Sequence, residues 1–438
     1  MCDSLVVARP GAPVWLAKNS DRHPDEVQVV ERTWPERHME QGPRASREID
    51  AWLGRARFEA LISRPHWLWG CEMGVNERGV AIGNEAVFCR PPAAKRGLTG
   101  MHMQRIALER AGSAEAALEV ITGLLARYPQ GGRMSWRGGL RYSSSFLIAD
   151  HAEAWVLETA GHLWAAQRVR GARTLSNMLT IEEDFDRIHP EALATAKARG
   201  YCRGAADFGF ARCFASGLYR RLTGGVQRRQ ATDALVAGLC ARAVDAPGLA
   251  RALQDHGAGG PARGLRMLMP CAHASWLPTR SSGQTTGSMI ARLDAAGPQV
   301  WFTGTSSPCL SVFKPVGFSA ADPLAGSPPA GEQADAESLW WRHERLHRAT
   351  LADYSRRRAA FEGERARLQA AAWAVDPGDP TAVAAIWEAH RAALPGWSAA
   401  ASSVAARRLG LFYAFWAHKG RGARSMGDRA WRGGSRAR

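Results

Sequence analysis

No run of 18 apolar residues occurs in this chain of 438 residues, which excludes a conventional membrane-spanning helix. Nothing like a secretory signal opens it either. Asp3 is acidic and the apolar stretch from Leu5 to Ala8 is four residues long, so a cytoplasmic protein is expected. Eight cysteines are scattered without a CxxC pair, which argues against a disulfide scaffold or a zinc ribbon and for reduced thiols. No repeat at solenoid periods is present, and no RRM, KH, finger or helix-turn-helix signature accompanies the net charge of +16. The last 20 residues carry seven basic side chains and one acidic one, so the tail alone supplies +6 of that charge. The basic balance then reads as compositional bias, and neither a specific nucleic-acid partner nor a membrane is expected.

What is present is material for a sizeable core: 46% apolar residues and 17 tryptophans. "LVVARPGAPVWLA" gives two short apolar runs around a Pro/Gly turn, a hairpin whose first strand starts beside Cys2. "SSSFLIADHAEAWVLETAGHLWAAQRV" reads as a three-stranded meander from Phe146 to about Val169, and "GSMIARLDAAGPQVWFTG" as a further hairpin turning at Asp294 to Pro298. Between them Ser113 is placed to cap a helix with Leu118, Ile121, Leu124 and Leu125 on one face. Meanders interleaved with helices, without βαβ alternation, predict antiparallel sheets covered by helices, an α+β class. The segment 319–337 reads as a Pro/Gly/Ala-rich linker. Helices are predicted over Leu339 to Trp373, Ala382 to Leu394 and Ser403 to Ala417, followed by a basic disordered tail.

Two stretches compete for the chemistry. Cys2 follows Met1, and a methionine before so small a residue is normally trimmed. Trimming would put a thiol and a free α-amine on one residue. An α-amine titrates near ~7.7–8.0 and can take the thiol proton, so nucleophile and base come together. The bland alternative is a small hydrophobe packing beside the start site. "HERLH", His343 to His347, fits the zincin pattern of two histidines one helical turn apart with Glu344 as base, and Glu388 as a third ligand. Arginines crowd that segment and oppose a dication, which leaves a helix face packed beside Trp340 and Trp341 as the plainer reading. Cys271 and His273, in "CAH", are separated by simple strand alternation and read as structural.

Taken in order, "MCDSLVV", "AKNSDRHPDEVQ", "GVNERGVAIGNEAVF", "SSFLIADHAEAWVLETAGHLWAAQRV", "LSNMLTI", "RSSGQTTGSMIARL", "FTGTSSPCLSVFKPV" and "LWWRHERLHR" resemble the secernin and bacterial cysteine-dipeptidase family. That family lies within the N-terminal-nucleophile (Ntn) hydrolases, with the penicillin V acylases and bile salt hydrolases. The resemblance runs from residue 1 to about 350 and implies a four-layer αββα Ntn-hydrolase sandwich over residues 1–318. A helical C-terminal extension over 338–417 and the tail over 418–438 complete the expected organisation.

The resemblance also implies roles. Cys2 becomes the nucleophile, Asp21 the acid that orients the α-amine, and Asn177 an oxyanion donor. Asn84 is a second oxyanion candidate, and Asn19 a supporting residue on the same floor. Lys18 stands where the acylases usually carry arginine, which replaces a bidentate contact by a point charge. A further basic residue is expected at Arg220 or Arg221, and the hydroxyl-rich Ser281 to Ser288 lies at a strand mouth. The expected activity is hydrolysis of a linear amide in a small peptide or acylated amino compound, with no metal and no cofactor. A non-catalytic, secernin-like interaction protein retaining the fold is the alternative, and the sequence leaves open whether the chain forms a homo-oligomer.

Overall fold

The computed structural model describes residues 2–35, 45–136, 139–217, 219, 224–281, 283–319 and 330–421. The strands are β1 Cys2–Ala8, β2 Val14–Arg22, β3 Gln28–Thr33, β4 Ala60–Pro65, β5 Met73–Asn76, β6 Ala81–Val87, β7 Ser143–Ala149, β8 Ala154–Ala160, β9 Leu163–Arg168, β10 Gly171–Leu175, β11 Arg187–Ile188, β12 Gln284–Asp294, β13 Gly297–Phe302 and β14 Lys314–Val316. The helices are α1 Ser46–Leu53, α2 Gly100–Leu108, α3 Ala114–Arg127, α4 Ala192–Ala198, α5 Phe210–Phe214, α6 Gly225–Cys240, α7 Ala246–Leu253, α8 Leu339–Leu351, α9 Tyr354–Ala359, α10 Glu362–Ala374 and α11 Pro380–Ser403. The strands build two large sheets, in the orders β10-β1-β2-β12-β13-β14 and β11-β9-β8-β7-β6-β5-β4-β3. No helix among the described residues is long and apolar enough to cross a membrane.

Two compact units share these strands: Met1–Lys18 with Arg32–Val244 and Ile290–Pro298, and Asn19–Glu31 with Asp245–Met289 and Gln299–Arg438. The first unit contains the expected meander. β7 pairs antiparallel with β8 and β8 with β9, and Gly161, at φ +68°, makes the β8–β9 turn that an L side chain would strain. Every residue of β7 and β8 is buried, because both faces of the sheet are covered. On one face lie α2 and α3, whose Ile106, Leu108, Leu118 and Ile121 share a core with Ile82, Phe146 and Leu157. On the other lies β1, which touches β6 and β7, and α6 packs in turn on β1 and β10. This is the expected αββα layering, complete within one unit.

Local sequence explains the covering helices. Ser113 accepts from the Ala116 N–H at 3.2 Å, capping α3, and Leu118, Ile121, Leu124 and Leu125 are its buried face. Thr99 caps α2 likewise by accepting from His102 N–H. A Cβ on Gly100 would stand 2.0 Å from Ser144 Oγ, so glycine lets this helix approach the sheet.

The second unit is helical around a few strands. Gln369 of α10 donates to Phe313 O and accepts from Phe313 N–H, clamping the segment that enters β14. Trp387 Nε1 donates to Pro315 O, and Trp416 Nε1 to Ala274 O. The helix expected from Leu339 to Trp373 is three shorter ones, α8, α9 and α10. That expected from Ala382 to Leu394 runs on through Pro395 to Ser403, and the last expected helix is found at 411–421. Most of the expected linker (320–329) and tail (422–438) lies outside the described residues.

Candidate active site

Strand register builds the site in the first unit. β1 pairs antiparallel with β10 so that Ser4 faces Leu175; continuing that register sets Asp3 opposite Ser176 and Cys2 opposite Asn177. Ser176 Oγ donates to Asp3 Oδ1 at 2.5 Å, and the Cys2 backbone nitrogen donates to Asn177 Oδ1 at 2.8 Å. Arg228, on α6, donates through Nη2 to the same Oδ1 at 2.6 Å and lies 3.5 Å from Asp3 Oδ2. A guanidinium only donates, so it fixes which end of the Asn177 amide is oxygen. Asn177 Nδ2 then donates one proton to Ala86 O at 2.8 Å. Cys2 itself is 5% exposed.

Beneath Cys2, Lys18 Nζ donates to Glu85 Oε1 at 3.1 Å, with both side chains wholly buried, and Ser4 Oγ donates to the same oxygen. Burial works against the charge on Lys18, but Cys2, Glu85 and Glu72 outweigh it and hold its pKa above the ordinary lysine value. Burial pushes the Glu85 carboxyl up, while Lys18 and Ser4 pull it the other way. Gly83 makes room for this arrangement: a Cβ there would stand 2.7 Å from Lys18 Cδ.

Cys2, Asn177 and Lys18 are therefore brought together. Asn84 is not: strand alternation sets it with Ile82 on the β6 face opposite Gly83 and Glu85, where it is registered against Phe146 and both neighbours belong to the core shared with α2 and α3. Arg220 and Arg221 lie outside the described residues. The basic residue at Asn177 is Arg228, which sequence reasoning missed. Its signal was legible in principle, since Gly225, Arg228, Thr232 and Val236 form the buried stripe of α6, and an arginine in an apolar stripe calls for a buried partner.

Asn19 and Asp21 belong to the second unit. Asn19 Nδ2 donates to Leu253 O and Pro270 O, and its Oδ1 accepts from Ser288 Oγ at 2.6 Å. These bonds make it a brace. Asp21 is buried and its Oδ1 accepts from Thr285 Oγ1 at 2.7 Å. Thr285 and Ser288 of "SSGQTTGS" thus serve these two side chains.

The "HERLH" residues are on a helix as expected, all three buried, but they are not set up for zinc chemistry. Glu344 Oε2 accepts from Arg348 Nε at 2.9 Å, Oε1 lies 3.0 Å from His347 Nδ1, and Ser306 Oγ donates to it. Although burial raises it, His347 and Arg348 hold this carboxyl far below the usual range, which is unsuited to a general base. Burial pulls His343 down to about 3. Glu388 is an exposed residue paired with Arg391. No metal-ligand cluster includes any of these among the described residues.

The family comparison supports a hydrolase acting on amide bonds. Residues 72–197 match Peptidase family C69, which bears out the resemblance read from the sequence over that stretch. Solved structures similar to this chain include a mutant conjugated bile acid hydrolase from Clostridium perfringens, at TM-score 0.42 and 12% identity, covering 69% of this chain and 88% of that one. Another is penicillin V acylase from Agrobacterium tumefaciens, at TM-score 0.40 and 11% identity, covering 72% of this chain and 86% of that one.

Proposed function

We propose that the chain is a cysteine-dependent amide hydrolase of the secernin and cysteine-dipeptidase kind, with Cys2 as an N-terminal nucleophile. Removal of what precedes it, Met1 in this sequence, would leave an α-amine on the thiol-bearing residue. The observation that carries the reading is the hydrogen bond from the Cys2 nitrogen to Asn177, with Asn177 locked by Arg228.

The α-amine accepts the Sγ proton, and Asn177 Oδ1 holds one amine hydrogen, which orients the lone pair. Lys18, buried beside Cys2, favours the thiolate. Sγ attacks the substrate carbonyl carbon, and the remaining Nδ2 proton of Asn177 is available to the oxyanion. The α-amine returns its proton to the leaving amine as the C–N bond breaks, giving a thioester on Cys2. Water deprotonated by the same amine attacks that thioester, releases the acid and restores the thiol. Asp21 is assigned to orient the α-amine and Asn19 to brace the strand that carries it. Substrates of this chemistry are dipeptides or short acylated amino compounds.

A panel of dipeptides and N-acyl amino acids, offered to protein of verified N-terminus, tests this. Turnover should fall by more than about 100-fold in Cys2→Ser, and a quench of the wild type should trap an acyl group on Cys2. Undiminished turnover by Cys2→Ser would sink the proposal. No hydrolysis of any member by trimmed wild type would leave a non-catalytic protein with this fold.

A further inference from the structure

A second cluster of reactive side chains lies in the second unit and takes no part in the proposed hydrolysis. His256, Cys271, His273 and Cys309 each offer one ligand atom, and all four atoms lie within 4.8 Å of one another. His273 Nε2 stands 2.9 Å from His256 Nε2, 3.5 Å from Cys271 Sγ and 3.6 Å from Cys309 Sγ. We infer that these four residues bind a zinc-type divalent cation in a closed, structural site.

The distances match the ligand set. With Zn–N near ~2.05 Å and Zn–S near ~2.3 Å, a tetrahedron has N–S edges of about 3.55 Å and an N–N edge of about 3.35 Å. The two N–S separations from His273 agree to within a tenth of an ångström, and the two imidazoles need to part by under half an ångström. Hydrogen bonding alone does not account for the grouping. A neutral Nε2 carries either one proton or one lone pair, so it satisfies one of three such neighbours. A cation at the centre lets all four lone pairs point at one charge. Two thiols lose their protons on binding, and two thiolates balance the dication with no carboxylate required.

The backbone around the cluster holds this geometry. Cys271 N–H donates to Asp255 O, which ties the loop after α7 to the cysteine. Cys309 follows Ser307, which at φ +53° is the one non-glycine among the described residues in the left-handed region, a conformation kept only where the surroundings impose it. His256, the least buried member, gives onto a cavity of about 320 Å³ lined also by Gly257, Met267, Met269 and Cys271, a path for the ion to enter. Four protein ligands leave no open position, which marks a structural and not a catalytic metal. Its consequence reaches the proposed chemistry, and this part rests on that reading: Ala272 N–H donates to Thr285 Oγ1, which donates to Asp21.

Metal analysis of the full chain, purified with reductant and passed through gel filtration, tests the inference without reference to activity. About one zinc per chain is expected, or about one taken up from added Zn2+ in competition with a chromophoric chelator. Co2+ in its place should give thiolate-to-cobalt charge-transfer absorption. Cys309→Ser and Cys271→Ser should lose that band. Should they fail to fold, His256→Gln at the cavity rim should weaken Zn2+ by more than about 100-fold, beyond what outer-shell changes cause. Cys2→Ser should bind zinc as the wild type does, which separates this result from the fate of the proposed mechanism. Folded wild type that takes up neither Zn2+ nor Co2+ would overturn the inference, as would a Cys271–Cys309 disulfide in the reductant-purified protein.

Discussion

Two lysines with no solvent exposure sit in the two units of this chain, and burial opposes the charge on both, yet only one is driven from it. Lys18, in the first unit, meets Glu85 at 3.1 Å and stays a strong cation. Lys314, in the second, donates to Val312 O and Thr303 O, approaches His390 Nδ1 and lies over the Trp387 ring. None of those partners carries a full negative charge, and burial drives its pKa well below the ordinary value. The same contrast runs through the neighbouring groups. The first unit buries Asp3 with Arg228 and Glu85 with Lys18. The second also contains His343 and His390, both pushed toward the neutral form first by burial, and then by His347 beside His343 and by Lys314 beside His390. A buried charge survives where an opposite charge comes within hydrogen-bond reach, and the cluster at Cys2 is built that way.

The largest test of this contrast substitutes the two lysines. Lys18→Met leaves Glu85 buried without its cation and should cost about 3–5 kcal/mol by urea unfolding at neutral pH, with amide hydrolysis lost as well. Lys314→Met removes a donor from two carbonyls and should cost about 1–3 kcal/mol. A larger loss at Lys314 than at Lys18 would break the comparison.

A pH series sharpens it. His343 has its folded pKa lowered from 6.5 to about 3, so between those values the unfolded chain binds the extra proton. Stability should therefore rise with pH across that window, by up to about 1.4 kcal/mol per pH unit for this group. His343→Gln should flatten the slope of the urea midpoint between pH 3 and 6.5 relative to wild type. An unchanged slope would mean that the histidine is not held neutral.

The smallest effect is expected at Glu388. Its pair with Arg391 is largely exposed, so Glu388→Ala should shift stability by no more than about 0.5 kcal/mol. Zinc content should also be the same as in wild type, since Glu388 is not among the four inferred ligands. Loss of bound metal in this variant would return attention to the "HERLH" helix.

Much of the frame was legible beforehand because its signals are local. The Pro/Gly turn of the first hairpin, the alternating meander and the Ser113 cap each depend on residues within a few positions of one another, and all three formed as expected. The site was half legible. Cys2 and Asn177 were named from motifs, and the pairing of β1 with β10 brings them into contact. Arg228 was not named, and the basic residues that were, Arg220 and Arg221, lie outside the described residues. Asn84 was named from a motif, which does not reveal the face of a strand that it occupies until the register is known. The "CAH" pair was read as strand alternation, but the segment is irregular, which allows Cys271 and His273 to turn toward each other. Their partners lie at positions 256 and 309, at no spacing that a metal motif would expose.

The sequence by itself determined the first hairpin, the meander, the apolar face of α3, and that a thiol at position 2 opens the first strand, because these follow from side-chain periodicity and turn chemistry over short range. Only the tertiary structure decided which polar residues would be buried together. Whether Lys18 keeps its charge while Lys314 is driven from it depends on whether a carboxylate from a distant strand arrives beside the ammonium, and that is a property of packing and not of either residue.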